Sequence, residues 1–172
     1  MLFRSLTNTC DLACVYCLPI FSSRINEELK RYGSYPIGIT PVTQVSDRDQ
    51  YFDAWLTWLD KNYQHLDRLS ILGGEPFLQK ELWSILDFVD SRKNQQLTIS
   101  VNTNLNSKLS TITRFVETCK KLISSGKTKK VNIDASIDCW GPQAEFIRDG
   151  LNLARWKENF EYLIQHKWLT IS

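Results

Sequence analysis

The sequence predicts an α/β domain built on a parallel sheet. Three observations predict it. Short segments rich in β-branched residues alternate with segments of helical periodicity along the chain. The alternation is strict, as right-handed βαβ units require. The chemically loaded residues fall just after strand segments, where α/β folds gather their function. The pattern leaves two architectures open, a doubly wound sheet or an arc of a (β/α) barrel.

In order, Leu2 to Leu6 reads as a first strand and Leu66 to Leu72 (LDRLSIL) as a second. Leu97 to Val101 (LTISV), Val131 to Ile137 (VNIDASI) and Trp168 to Ile171 (WLTI) follow as the third, fourth and fifth. Four helices each show one apolar stripe. They are Phe52, Trp55, Leu56, Leu59 and Tyr63; Leu78, Leu82, Ile85, Leu86 and Val89; Leu109, Ile112, Val116, Cys119 and Ile123; and Leu153, Trp156, Phe160, Leu163 and Ile164. Ser46, three before Asp49, is placed to cap the first of them. Residues 33–47 carry Gly and Pro and read as a long loop. The fifth strand is the last segment, and a buried parallel strand there leaves an open edge. The expectation is one domain over residues 1–172, incomplete at its C-terminus, with about four β/α units and a fifth strand.

Composition narrows the function classes. With 172 residues, 42% hydrophobic and 23% charged, the chain suits a single globular domain. Its net charge of +2 demands neither nucleic acid nor an anionic membrane. The basic run Lys127, Lys129 and Lys130 reads as a solvated loop. The start, MLFRSLTNTC, lacks the apolar core of a signal peptide, and no run approaches a membrane span. A cytoplasmic location follows as the expectation. Reducing surroundings then turn close cysteine spacing toward metal or catalysis. The five cysteines are Cys10, Cys14, Cys17, Cys119 and Cys139, an odd number that argues against a disulfide framework.

Three of them lie in CDLACVYC at spacing C-x3-C-x2-C, from Cys10 to Cys17. Iron–sulfur and zinc sites of the common kinds take four protein ligands. Three thiolates on one loop leave a fourth metal position open, which is how a site does chemistry rather than hold structure. A zinc site completed by a histidine or by Cys139 is the competing reading. Cys119 reads as core, and His65 and His166 have no ligand partners at metal spacing. After the second strand stands GGEP, Gly73 to Pro76. Its glycines let backbone approach a ligand. Asn102-Thr103-Asn104 ends the third strand, and SIDCWGPQAEFIR, Ser136 to Arg148, follows the fourth.

Taken together, CDLACVYC, GGEP, VNTN and SIDCWGPQAEFIR resemble the radical S-adenosylmethionine enzymes, in the branch of sulfatase-maturing and peptide-modifying enzymes with SPASM or twitch extensions. The resemblance implies a partial (β/α) TIM-like barrel. It implies a [4Fe–4S] cluster on Cys10, Cys14 and Cys17, with the open iron taken by S-adenosylmethionine. Reductive cleavage of that molecule gives a 5′-deoxyadenosyl radical, which abstracts hydrogen from substrate. The resemblance further assigns Gly73, Gly74 and Glu75 to the methionine amino group. Ser136 and Arg148 go to its carboxylate or ribose, with Asp138 as polar support. Asn104 is placed at the ribose or the substrate space, and Tyr16, the aromatic before the last cysteine, near the adenine. The implied partners are a peptide or protein substrate and an electron donor such as flavodoxin or ferredoxin, with no nucleic acid and no membrane. There are departures. Leu105 stands where the family has Gly, and Cys139-Trp140-Gly141 replaces a single Gly after Asp138. The sixth β/α unit and the SPASM or twitch extension are not in this sequence, so a truncated longer enzyme is expected. A non-catalytic zinc or iron–sulfur module, or an inactive fragment, is the alternative.

Overall fold

The computed structural model describes residues 2–3, 7–36, 38–42 and 48–172, without the side chains of Leu2, Phe3, Arg48 and Asp49. Positions 4–6 of the expected first strand, the Ser46 cap, and positions 37 and 43–47 of the expected loop lie outside the described residues. In chain order the elements are β1 (Leu2–Phe3), β2 (Ala13–Cys14), α1 (Ser23–Tyr32), α2 (Arg48–Asn62), β3 (Arg68–Ile71), α3 (Lys80–Asp90), β4 (Thr98–Thr103), α4 (Leu109–Ser124), β5 (Lys130–Ala135), α5 (Pro142–Ile147), β6 (Arg148–Asp149), α6 (Leu153–Leu163) and β7 (Thr170–Ile171).

Five strands form one parallel sheet in the order β1, β3, β4, β5, β7. Its order is chain order. A doubly wound sheet reverses its order at a switch point, and the described strands show no reversal. They do not close into a barrel either, since β1 and β7 are the two edges. A sheet wound one way by right-handed crossovers carries its connecting helices on one face.

That face is the core. Leu69, Ile71, Ile99, Val101, Val131 and Ile133 alternate along β3, β4 and β5 and are buried. They pack in one cluster with Leu82, Ile85, Leu86 and Val89 of α3, Ile112, Phe115, Val116, Cys119 and Leu122 of α4, and Trp156 and Leu163 of α6. Each such side chain withdrawn from water contributes about 1.5–3 kcal/mol. Phe77 and Phe115 meet edge to face at 5.1 Å between ring centres. The other face of the sheet is polar. Ser70, Ser100, Asn102, Asn132 and Asp134 occupy it, with Arg68, Thr98 and Lys130 abreast at its amino-terminal end. Parallel strands covered on both faces read as continuous apolar runs; these alternate instead.

Two helices escaped the sequence reading. Helix α1 buries only Ile25, Asn26 and Leu29. That stripe is too short to stand out from SRINEELKRY, although Ser22 caps it by accepting from the Ile25 N–H at 3.2 Å. Helix α5 is a single short segment, started by Pro142 after Gly141. The fourth strand ends at Ala135 rather than Ile137, and it begins at Lys130, so this lysine belongs to the sheet rather than to a loop. Trp140, just before α5, is 60% exposed.

Candidate functional site

The cysteine loop follows β1 and is held from behind by the start of α1. The Ser23 hydroxyl accepts from the Cys10 N–H and donates to the Cys10 carbonyl, both at 3.1 Å. Ser22 Oγ donates to the Leu12 carbonyl at 2.7 Å, and Leu12 is sunk in the core. The middle of the loop forms β2, which pairs antiparallel with β6 and sets Cys14 directly opposite Arg148. This two-stranded ribbon joins residues that the sequence reading linked only by family resemblance.

The Gly73-Gly74 turn lies against the segment before the cysteines. Glu75 N donates to the Thr9 carbonyl at 2.7 Å, and Gln79 Nε2 donates to the Gly73 carbonyl at 2.8 Å. Gly74 has a φ of +54°, and a Cβ there would collide with the Thr9 carbonyl oxygen. Only glycine satisfies both the backbone and the space. Glu75 itself turns inward and is fully buried. Its carboxylate accepts from Phe77 N at 3.2 Å, Thr103 Oγ1 at 2.7 Å and Asn104 N at 2.7 Å. Burial pushes its carboxyl up to about 7, against the pull of those three donors.

Asn104 joins the end of β4 to the cysteine loop. Its amide donates to Asp11 Oδ1 at 2.9 Å and approaches Cys10 Sγ at 3.9 Å. Asn106 donates to the other oxygen of Asp11 at 2.7 Å and to the Gly150 carbonyl at 3.1 Å. Past β5, Ser136 Oγ donates to Asn102 Oδ1 at 2.8 Å. Asp138 Oδ2 accepts from Arg148 Nε at 2.6 Å and from the Tyr16 hydroxyl at 2.8 Å. The Arg148 guanidinium lies 5.8 Å from the Tyr16 ring centre, a cation–π distance.

These pieces enclose one cavity of about 240 Å³. Cys10, Cys14, Cys17, Tyr16, Gly73, Gly74, Asn104, Ser136 and Arg148 all line it, together with Leu12, Phe21 and Asn102. Glu75 and Asp138 do not; they hold residues that do. Cys139 is not part of the wall, and neither histidine reaches it. All the cysteines are free thiols. Burial raises Cys10 to about 12, with Asp11 and Glu75 adding to the rise. Burial also raises Cys14 and Cys17, but there Arg148 pulls the other way. The Arg148 hydrogen bond holds Asp138 below its ordinary value. Among the described residues no three His, Cys, Asp or Glu side chains are drawn together as a ready-made ion site. All three thiols line the cavity.

Sequence reasoning missed Asp11, Asn106, Gln79 and Thr103, the residues that hold the site together. The signal was present in part, as Asn102, Asn104 and Asn106 recur at every second position across the end of a strand. Compared with known proteins, the chain matches no family model, no curated protein and no solved structure. No helix among the described residues is long and apolar enough to cross a membrane.

Proposed function

We propose that this chain is the core of a radical S-adenosylmethionine enzyme, an arc of a partial (β/α) barrel that acts on a peptide or protein side chain. One observation carries the reading. Residues picked from four separate stretches of sequence line one cavity, the three thiols together with Gly73, Gly74, Ser136 and Arg148. A sheet wound in a single direction is what an arc of a barrel needs.

The donor set fits the implied group. Three free thiols lining one cavity suit a [4Fe–4S] cube, which offers a different iron to each. Cys10, Cys14 and Cys17 would hold it. When bound, it would supply the electron that cleaves S-adenosylmethionine and so generates the carbon radical for hydrogen abstraction. The chain's own residues do the rest. Gly74, with no Cβ, lets the methionine end approach the backbone. Arg148 presents a guanidinium to the carboxylate, held in place by Asp138. Tyr16, tied to the same carboxylate, forms the edge of the adenine space. Glu75 keeps its carboxylate inside, so its share is to hold the glycine turn to β4. Exposed Val15, Ile20, Trp140 and Phe146 offer apolar surface for a peptide side chain. Electrons would come from a small donor such as flavodoxin or ferredoxin.

The test is anaerobic reconstitution with iron and sulfide, then electron paramagnetic resonance with and without S-adenosylmethionine. About four irons per chain and a reduced-cluster signal that shifts on adding S-adenosylmethionine support an open iron position. A cluster signal indifferent to S-adenosylmethionine overturns the enzymatic reading and leaves a passive site.

A further inference from the structure

Asn104 leaves the end of β4 with its side-chain amide committed inside the protein. It is 7% exposed. Its Oδ1 accepts from the Asn106 N–H at 2.9 Å, and its Nδ2 donates to Asp11 Oδ1 at 2.9 Å. Turned over, the amide would set its oxygen against that carboxylate, so its orientation is fixed. Asn106 donates to the other oxygen of Asp11 at 2.7 Å and holds the carboxylate in place. One amide hydrogen of Asn104 thus goes to Asp11. The second is left for Cys10 Sγ, 3.9 Å from the same nitrogen. The main chain adds a further anchor, as the Asn104 N–H donates to Glu75 Oε2 at 2.7 Å. Cys10 and Asn104 both line the cavity of the proposed cluster site.

We propose that Asn104 is a positioning residue that acts through Cys10: its amide donates to the ligating sulfur and makes the cluster easier to reduce. The inference rests on the cluster reading above. An N–H donor at a ligating sulfur favours the reduced state, which carries one more negative charge, and so raises the reduction potential. Asp11 and the Asn106 N–H aim the amide, and Glu75 fixes the backbone that bears it. With both amide hydrogens taken inside the chain, Asn104 serves the cysteine rather than a bound nucleoside.

Redox titration of the reconstituted protein, followed by electron paramagnetic resonance, tests it. Asn104→Ala is expected to make the cluster about threefold to tenfold harder to reduce, a fall of about 30–60 mV for one electron. Asn106→Ala is the comparison. It also loosens Asp11, but it keeps the Asn106 N–H that orients Asn104, so its potential stays with the parent's. A general loosening of the site would move both variants alike. A second measurement leaves Asn104 in place and stands even where Asn104→Ala fails to fold. The protein is labelled with nitrogen-15 in its asparagine side chains, with Asn102→Ala removing the other asparagine of the cavity wall. Pulsed electron paramagnetic resonance of the reduced cluster is expected to show a coupling to the label. A parent that takes up no iron overturns the cluster reading and this inference with it. A cluster whose potential is the same in the parent and in Asn104→Ala overturns the inference alone. So does an equal fall in Asn106→Ala, or a reduced cluster with no coupling to the label.

Discussion

Tyr16 and Asp138 stand 122 residues apart in the chain and meet in a 2.8 Å hydrogen bond. The same carboxylate oxygen accepts from Arg148 at 2.6 Å. One atom of Asp138 thus fixes both the aromatic of the cysteine loop and the cation that faces the cavity.

Removing that atom strands Arg148, whose side chain is 10% exposed against 35% for Asp138. Asp138→Ala is expected to cost about 1–2 kcal/mol, less than a fully buried pair because water screens one partner. Tyr16→Phe loses one hydrogen bond and costs about 0.5–1 kcal/mol. Urea unfolding measures both. Equal losses in the two variants would show that Arg148 does not depend on Asp138.

Glu75 gives the fold a pH dependence whose sign is fixed. Its carboxyl rises from 4.5 to about 7 in the folded chain. The folded state therefore keeps a proton that the unfolded chain has released. The contribution is complete below about pH 4.5 and is lost as pH rises through about 7, on the order of 3 kcal/mol in all. Glu75→Gln flattens the slope between about pH 5.5 and 8, yet costs about 1–3 kcal/mol because an amide N–H then faces backbone donors. Urea midpoints across that range decide it; an unchanged slope in the variant refutes the assignment to Glu75.

Gly74→Ala and Gly33→Ala separate space from conformation. Both glycines have positive φ, but a Cβ at Gly33 meets nothing within 4 Å, whereas at Gly74 it meets the Thr9 carbonyl. Gly33→Ala costs about 1–3 kcal/mol from backbone strain alone. Gly74→Ala must also shift the segment before the cysteines, and its loss exceeds that of Gly33→Ala by at least about 1 kcal/mol. Thermal unfolding of the pair reads the difference.

Leu105 has φ of +56° and is 0% exposed. The backbone adopts a positive φ that favours Gly, and the leucine offsets the strain by filling the core. Leu105→Gly relieves about 1–2 kcal/mol of strain but forfeits about 2–5 kcal/mol of packing. A net loss is expected, smaller than that of Leu105→Ala, which keeps the strain. Denaturation midpoints order the three proteins.

Iron content separates the cysteines. On the proposed reading, Cys10→Ser, Cys14→Ser and Cys17→Ser are each expected to lower iron bound after reconstitution to under about half of the parent value, since a thiolate ligand would be lost. Cys139→Ser and Cys119→Ser leave it unchanged. Retention of iron in the first three variants would remove the site.

The strands and the four long helices were legible because β3 to β5 and α2, α3, α4 and α6 carry their periodicity in apolar residues. The three cysteines, Gly73, Gly74, Ser136 and Arg148 were legible as motifs, and the structure gathers them round one cavity. Glu75 was placed in the right turn, but which way its carboxylate faces depends on Thr103 and Asn104, donors from a strand 28 residues on. Asp11 was invisible for a similar reason: an Asp beside a cysteine means little until the amides of Asn104 and Asn106 clasp it. The ribbon of β2 and β6 is two residues on each side, too brief for any periodicity to register.

A sheet whose strand order is chain order can be laid down as the ribosome delivers it. Each strand from β3 onward pairs with the sheet strand made just before it, so every new unit finds its template already emerged. The cysteine loop has no such luck. Its partners on the far side, Asp138, Arg148 and Asp149, are made more than a hundred residues later. During synthesis the three thiols wait on a nascent chain beside a half-built sheet, and their cavity closes only when the α5–β6 turn arrives. Any metal loaded before that moment would meet the loop without Arg148 beside it.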